Sequence, residues 1–128
     1  MVNQWIHRRH PLRMTAGCNE YLVLELRGLG NPAIVREARE FASKYAPAVL
    51  CLVETQIQKS RAELLRSSFG YKYAFAVGSS GRSGGIVIFW NNDEVDLEVV
   101  DHSKYYVDAV VANLGSAPWR LTCVYGEA

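Results

Sequence analysis

The chain has 128 residues, 49% of them hydrophobic and 21% charged, which predicts one soluble globular domain. Its formal net charge of +1 excludes the strongly basic surface that marks proteins binding nucleic acid through charge alone. No apolar run approaches the ~18 residues of a membrane span, so we expect no membrane partner.

The basic residues are unevenly distributed along the chain. Residues 1–19 contain Arg8, Arg9 and Arg13 and no acid, whereas the remainder carries 11 basic and 13 acidic residues. An arginine-bearing, acid-free start resembles an organelle transit peptide, but this stretch is short, poor in serine and not clearly amphipathic. We predict a disordered, untargeted leader over residues 1–19 and one domain over residues 20–128; organelle targeting is the alternative.

Three cysteines, Cys18, Cys51 and Cys123, form no C-x-x-C pair and leave one unpaired in any disulfide scheme. Cys51 and Cys123 lie inside apolar runs and are predicted to be small buried hydrophobic residues. This cysteine usage favours a reducing intracellular compartment, the nucleus or the cytoplasm.

The segment from residue 21 to residue 54 has the pattern of a strand, a helix and a second strand. "YLVLEL" (21–26) is rich in strand formers, and Asn31 followed by Pro32 is a strong helix start. Apolar residues then recur at helical spacing up to Tyr45, and "AVLCLVE" (48–54) is a buried-strand run. This order predicts parallel pairing through a right-handed crossover.

After a short second helix, with a capping box predicted from Ser60 and Glu63, the pattern becomes that of strands alone. Five candidates follow at 71–77, 85–90, 95–100, 105–114 and 119–126, with short connectors that require antiparallel neighbours. The predicted fold class is α/β (α+β), with a mixed, mostly antiparallel sheet of about six or seven strands and both helices on one face. The other face would be exposed and would require self-association or a partner. Apolar strand residues expected on the two faces include Cys51, Val53, Val87, Phe89, Val110 and Val124.

Gly28, Gly30 and Ala33 match the G-x-G-x-x-A spacing of a dinucleotide-binding turn. However, the helical pattern stops near residue 70, whereas a dinucleotide-binding sheet alternates strands and helices throughout. Glu54, the one acid at a plausible strand tip, lies later than the ~20 residues expected after the glycines. A nucleotide-dependent oxidoreductase is therefore the least favoured function, and the glycines are better explained by a tight strand-to-helix turn.

Four segments in order, "LRGLGNP", "VLCLVETQ", "GRSGGIVIFW" and "WRLTCVYGE", resemble the first half of the endonuclease/exonuclease/phosphatase family. The similarity is greatest to the endonuclease domains of plant LINE-type retrotransposons and covers residues 21–127. It implies half of a four-layered α/β sandwich, in which two mixed sheets pack face to face with helices outside. It also implies Mg²⁺- or Mn²⁺-dependent hydrolysis of phosphodiesters, with nucleic acid as the partner.

The resemblance places the family's metal-binding glutamate at Glu54 and its active-site tyrosine at Tyr125, and Arg82 in "GRSGG" is a weaker candidate for phosphate binding. The position of Glu54 supports its role independently, because it ends an apolar strand at the edge where open α/β sheets place their sites. Mg²⁺ favours one or two such carboxylates together with waters.

Two departures from the family pattern affect the expected activity. Glu25 stands where the family has an asparagine that holds phosphate, which makes Glu25 a doubtful metal ligand. The family's later Asp-x-Asn element and terminal Asp-His pair do not occur before Ala128. We therefore expect a truncated phosphodiesterase that is inactive alone; the alternative is a non-catalytic module that binds protein or nucleic acid on the same fold.

Overall fold

The computed structural model describes residues 13–17, 21–26, 28–78, 84–91, 93, 95–113 and 117–124. The strands of the first sheet are β1 (Arg13–Gly17), β2 (Tyr21–Glu25), β3 (Val49–Val53), β4 (Tyr73–Val77) and β5 (Ile86–Trp90). The second sheet contains β6 (Val95–His102), β7 (Tyr106–Asn113) and β8 (Trp119–Val124). The helices are α1 (Pro32–Tyr45) and α2 (Lys59–Phe69).

The first sheet has the order β1-β2-β3-β5-β4 and is mixed. β2 and β3 pair in parallel, with Tyr21 opposite Val49 and Glu25 opposite Val53, while the other described pairs are antiparallel. The parallel pair is joined through α1, as the sequence predicts, because a parallel return needs a crossover of a dozen or more residues. The predicted α+β class is confirmed.

Both helices pack on one face of the first sheet. Their buried side chains, among them Ile34, Ala38 and Leu65, share a core with alternate strand residues such as Leu52 and Phe89. Side chains along a strand alternate between the two faces of a sheet. Cys51 and the other residues of its face therefore point away from the helices. The predicted placement of both helices on one face is confirmed.

A second, antiparallel sheet with the order β6-β7-β8 covers that opposite side. The inner faces of the two sheets form one core. Its members from the first sheet are Val49, Cys51, Val53, Ile86 and Ile88, and those from the second include Leu97, Val107, Ala109, Val111 and Leu121. The result is three layers: helices, five-stranded sheet and three-stranded sheet.

The prediction of one sheet with an exposed apolar face is therefore wrong. Cys51 and Val53 are buried between the sheets, and Val87 and Phe89 pack towards the helices. Val110 and Val124 are absent from both cores and belong to the outer side of the second sheet. The expected need for self-association loses its physical basis, because the chain covers this face with its own strands.

Helix α1 starts as predicted, and α2 does not. The Asn31 side chain accepts a hydrogen bond from the Ala33 N–H at 2.9 Å, which caps α1. In α2 the N-cap position is Gln58, without a side-chain cap bond, so the predicted capping box is not formed. Glu63 instead pairs with Arg66 one turn later, at 3.1 Å.

Part of the predicted leader forms a strand. Arg13–Gly17 forms β1 and pairs antiparallel with β2, with Arg13 opposite Glu25. The disorder expected for residues 1–19 stays a prediction, and residues 1–12 and 18–20 lie outside the described residues. The first sheet therefore includes Arg13–Gly17, residues that the charge pattern assigns to the leader.

Cys51 and Cys123 are buried as predicted, but they are not separate thiols. The structure joins them in a disulfide between β3 and β8, with Cα atoms 6.9 Å apart and 72 positions between them in sequence. That Cα separation is near the outer limit that a disulfide spans. The bridge crosses the core between the two sheets.

Candidate functional site

Glu25 and Glu54 lie at the same edge of the first sheet. Glu25 is the last residue of β2 and stands opposite Val53, and Glu54 is the residue that follows Val53. Both glutamates are half-buried. The parallel register therefore places the backbones of the two acidic residues that the sequence singles out at the carboxyl ends of neighbouring strands.

The backbone after β3 adopts an uncommon conformation. Glu54 has a φ of +64° and Gln56 a φ of +57°, both in the left-handed region that few residues other than glycine enter. Such conformations cost about 1–3 kcal/mol each and persist only where the surroundings enforce them. The chain therefore turns sharply at the residue that carries the predicted metal ligand.

Backbone hydrogen bonds from both sides hold this turn. The N–H groups of Glu54 and Thr55 donate to the Gly85 carbonyl at 2.8 and 3.2 Å, and the Gln56 N–H donates to Gly84 at 2.9 Å. On the other side, the Gly28 N–H donates to the Glu54 carbonyl at 3.1 Å. The turn is a fixed part of the sheet edge.

Two glycines allow the close packing around the turn. A Cβ on Gly85, whose φ is +97°, would lie 2.4 Å from the Thr55 hydroxyl oxygen. A Cβ on Gly28, whose φ is +93°, would lie 2.5 Å from the side-chain oxygen of Gln56. Gly30 has nothing within 4 Å of its Cβ position. The turn therefore requires Gly28, whereas nothing around Gly30 demands a glycine.

Thr55 is a feature of the site that the sequence does not reveal. It is fully buried, and its hydroxyl oxygen has no hydrogen-bond partner among the described residues. Buried hydroxyls are nearly always paired, because an unpaired one loses its hydration without compensation. The only sequence signal is that Thr55 directly follows Glu54.

The donor chemistry of this edge suits a hard divalent cation. Glu25 and Glu54 offer carboxylate oxygens, and Mg²⁺ commonly uses one or two carboxylates with waters completing its shell. Among the described residues, Glu54 has no ionic or hydrogen-bonding partner that would compete for its carboxylate. No group of three or more His, Cys, Asp or Glu able to hold a metal occurs in the described part of the chain.

Tyr125 and Arg82, the other predicted site residues, lie outside the described residues. Strand β8, which precedes Tyr125, runs in the same direction as β2 and β3. Its first residue, Trp119, contacts Tyr21 at a ring-centroid distance of 5.5 Å, and Cys123 meets Cys51. The last residues of β8 therefore approach the same end of the molecule as Glu54.

The described histidine is not part of this edge. His102 is exposed at the end of β6, where its ring packs edge-on against Phe75 at 5.1 Å. Tyr106 on β7 donates a hydrogen bond from its hydroxyl to Asp101 at 2.7 Å, and so belongs to a separate polar group.

A search against protein-family models finds no match for the chain, and a search of curated proteins finds no relative. Within the described residues, neither helix is both long enough and apolar enough to cross a membrane. The fold and the sheet-edge geometry are therefore the basis for a functional proposal.

Proposed function

We propose that the chain is the first half of a metal-dependent phosphodiesterase domain of the endonuclease/exonuclease/phosphatase type, derived from a retrotransposon and inactive alone. The observation that carries the proposal is the placement of Glu54 in a left-handed turn at the carboxyl end of a buried strand, one residue beyond the position opposite Glu25. A metal ligand must be held in position by its surroundings, and five backbone hydrogen bonds hold this turn: the four described above and one from the Leu29 N–H to the Thr55 carbonyl.

Glu54 is the proposed principal ligand of Mg²⁺ or Mn²⁺, and Glu25 the second. When bound, the ion would supply Lewis-acid stabilisation of charge on a phosphate. Glu54 would orient it, and Glu25 would add negative charge in place of an amide that could donate to the phosphate. No residue described at this edge is a candidate to activate a water molecule, which is why we expect no turnover.

Metal-dependent nicking of supercoiled plasmid DNA tests the catalytic part of the proposal. We expect no nicking with 10 mM Mg²⁺ or Mn²⁺ (our chosen assay condition), because general-base and metal assistance each contribute orders of magnitude. Cleavage that co-purifies with the protein and disappears in Glu54→Ala would contradict this expectation.

Thermal melting with and without millimolar Mn²⁺ tests the metal site itself. A ligand that binds only the folded state raises its stability by mass action, so we expect Mn²⁺ to raise the Tm of the unmodified chain and less so that of Glu54→Gln. Glu40→Gln, on the exposed side of α1, is the matched control and should behave like the unmodified chain. Melts that superimpose with and without Mn²⁺ would remove the metal site from the proposal.

The alternative is a non-catalytic binding module on the same fold. The exposed Asp96 and Glu98 on β6 disfavour nucleic acid as its ligand, because phosphate is repelled by carboxylates. Salt-dependent gel shifts with single- and double-stranded DNA and RNA test this alternative, since binding through phosphates weakens steeply as salt rises.

A further inference from the structure

Strand β4 is an edge of the first sheet. Within the described residues it pairs with β5 on one side and with no strand on the other. An edge strand presents a row of backbone N–H and C=O groups that can pair with another extended chain. The open side of β4 is therefore a surface that accepts a further strand.

The other edge strands carry features that hinder such pairing, and β4 carries none of them. The register of β1 shifts between Met14 and Ala16, and that of β6 shifts between Val99 and Asp101. Strand β8 has the exposed, charged Arg120. Bulges and charged side chains are the usual means by which edge strands avoid edge-to-edge pairing. Strand β4, with the sequence YAFAV, has an unbroken register against β5 and contains no charged residue and no proline.

The side chains of β4 that point towards the second sheet are incompletely covered. Ile86 and Ile88 of the neighbouring strand β5 are fully buried between the sheets. Val77 and Phe75, which lie opposite them on β4, are only partly buried, and Tyr73 is 43% exposed. The second sheet therefore does not fully cover the edge of the first, and it leaves an apolar strip of Tyr73, Phe75 and Val77, which we call the β4 strip.

We propose that β4 pairs antiparallel with β4 of a second copy of this chain. The pair would join two five-stranded sheets into one of ten strands. With Phe75 opposite Phe75 of the second copy, Tyr73 lies opposite Val77 and Val77 opposite Tyr73, so each residue of the β4 strip gains an apolar cross-strand partner. Aromatic–aromatic and aromatic–β-branched pairs are among those that stabilise sheets. The contact uses the edge of the first sheet, and not the face that the second sheet covers.

The charges at the two ends of β4 are complementary in this register. At one end, Lys72 forms an ion pair with the exposed Asp93. At the other end, Gly78 lies beside Lys59, the first residue of α2. Antiparallel pairing about Phe75 brings Gly78 opposite Lys72 of the second copy, so the Lys59 ammonium can approach Asp93 of that copy. Each copy supplies the same contacts, as a two-fold symmetric interface requires.

Sedimentation equilibrium of the unmodified chain tests the oligomeric state. We expect a reversible equilibrium between monomer and dimer in the range from micromolar to millimolar concentration, because a contact through one short strand is small and small interfaces are weak. A chain that stays monomeric up to millimolar concentration would overturn the proposal and would leave this edge to a strand from a different protein.

NMR of a mixture of isotope-labelled and unlabelled chains locates the contact without any mutation. At millimolar concentration we expect intermolecular cross-relaxation between the Tyr73 ring and the Val77 methyl groups, and between the Phe75 rings. Hydrogen exchange of β4 amides should also slow as the protein concentration rises, because the edge N–H groups become paired. Intermolecular contacts confined to β1, β6 or β8 would overturn the proposal and assign self-association to another edge.

A lysine on the edge strand supplies the second arm of the test. Tyr73→Lys removes two aromatic–β-branched pairs from a symmetric dimer and adds a charge to each edge, so it should weaken dimerisation about tenfold. Tyr45→Lys on α1 is the matched control, because Tyr45 is 39% exposed and stacks on Phe41 as Tyr73 stacks on Trp90. It should leave the dimer unchanged.

Urea midpoints of both variants check that they remain folded, and the mixed-label experiment stands if Tyr73→Lys does not fold. A dimer of folded Tyr73→Lys as strong as that of Tyr45→Lys would overturn the proposal.

Discussion

Cys51 of β3 and Cys123 of β8 connect the two sheets covalently through the middle of their shared core, with Cα atoms 6.9 Å apart. The bridge joins the strand that leads to Glu54 with the last described strand of the chain. It therefore links the half of the fold that contains helices to the half made of strands alone.

Removing this bridge should destabilise the fold. The cysteines are 72 positions apart, and closing a loop of that length is expected to contribute about 4 kcal/mol in the chain-entropy account. We expect a reductant to lower the free energy of unfolding by about this amount, measured from urea midpoints. Cys18→Ala, which leaves the bridge intact, should change the midpoint little and should retain the response to reductant. An unfolding midpoint that reductant does not move would show that the bridge contributes no stability.

Gly85 is predicted to be irreplaceable. Alanine at this position would adopt a φ of +97° and place its Cβ 2.4 Å from the Thr55 hydroxyl oxygen, so Gly85→Ala should cost about 2 kcal/mol or more. Gly30→Ala is the matched control, since nothing lies within 4 Å of its Cβ position, and it should change stability by no more than about 0.5 kcal/mol. Chemical denaturation of both variants measures the difference, and equal losses would contradict the packing described for Gly85.

Thr55→Val should leave the fold as stable or make it more stable by about 1 kcal/mol. The substitution keeps the shape of the side chain and removes a fully buried hydroxyl without a described partner. Urea unfolding without divalent metal is the measurement, with Thr122→Val, which loses a hydrogen bond to Asp108, as the contrasting variant. A clear loss of stability in Thr55→Val would mean that the hydroxyl has a partner.

The decrease in the free energy of unfolding at acid pH should depend on Arg120. Hydrogen bonding from the Arg120 guanidinium holds the pKa of Asp108 below its ordinary value of 3.8, and the Thr122 hydroxyl acts in the same direction. The charged form is therefore favoured by folding, so this contribution is present above pH about 4 and is lost as pH falls through the lowered pKa. Arg120→Gln should flatten the fall in stability between pH 5 and pH 2 (our chosen range).

Urea midpoints across that range measure the effect, and Arg36→Gln on the exposed side of α1 is the matched control. Arg36 has no carboxylate partner within the described residues, so its removal should leave the decrease at acid pH unchanged. If Arg120→Gln and Arg36→Gln follow the same pH profile, the ion pair with Asp108 does not contribute to acid stability.

The sequence by itself determines the local elements and one part of the candidate site. Asn31 and Pro32 start α1 where the spacing predicts, since capping and the fixed φ of proline act within a few residues. The strand–helix–strand order also predicts the parallel pairing of β2 with β3, while the register, with Glu25 opposite Val53, comes from the structure. These features depend on neighbours in sequence, which is why patterns along the chain reveal them.

Only the tertiary structure decided how the strands divide between sheets. Alternation shows which side chains share a face but not which sheet a strand joins, and the short connector at residues 91–94 would equally suit a hairpin. The chain instead crosses there from β5 to β6, which covers Cys51 and exposes Val124. The bridge to Cys123 and the close packing of Thr55 against Gly85 depend on residues far apart in sequence, and packing alone brings them together.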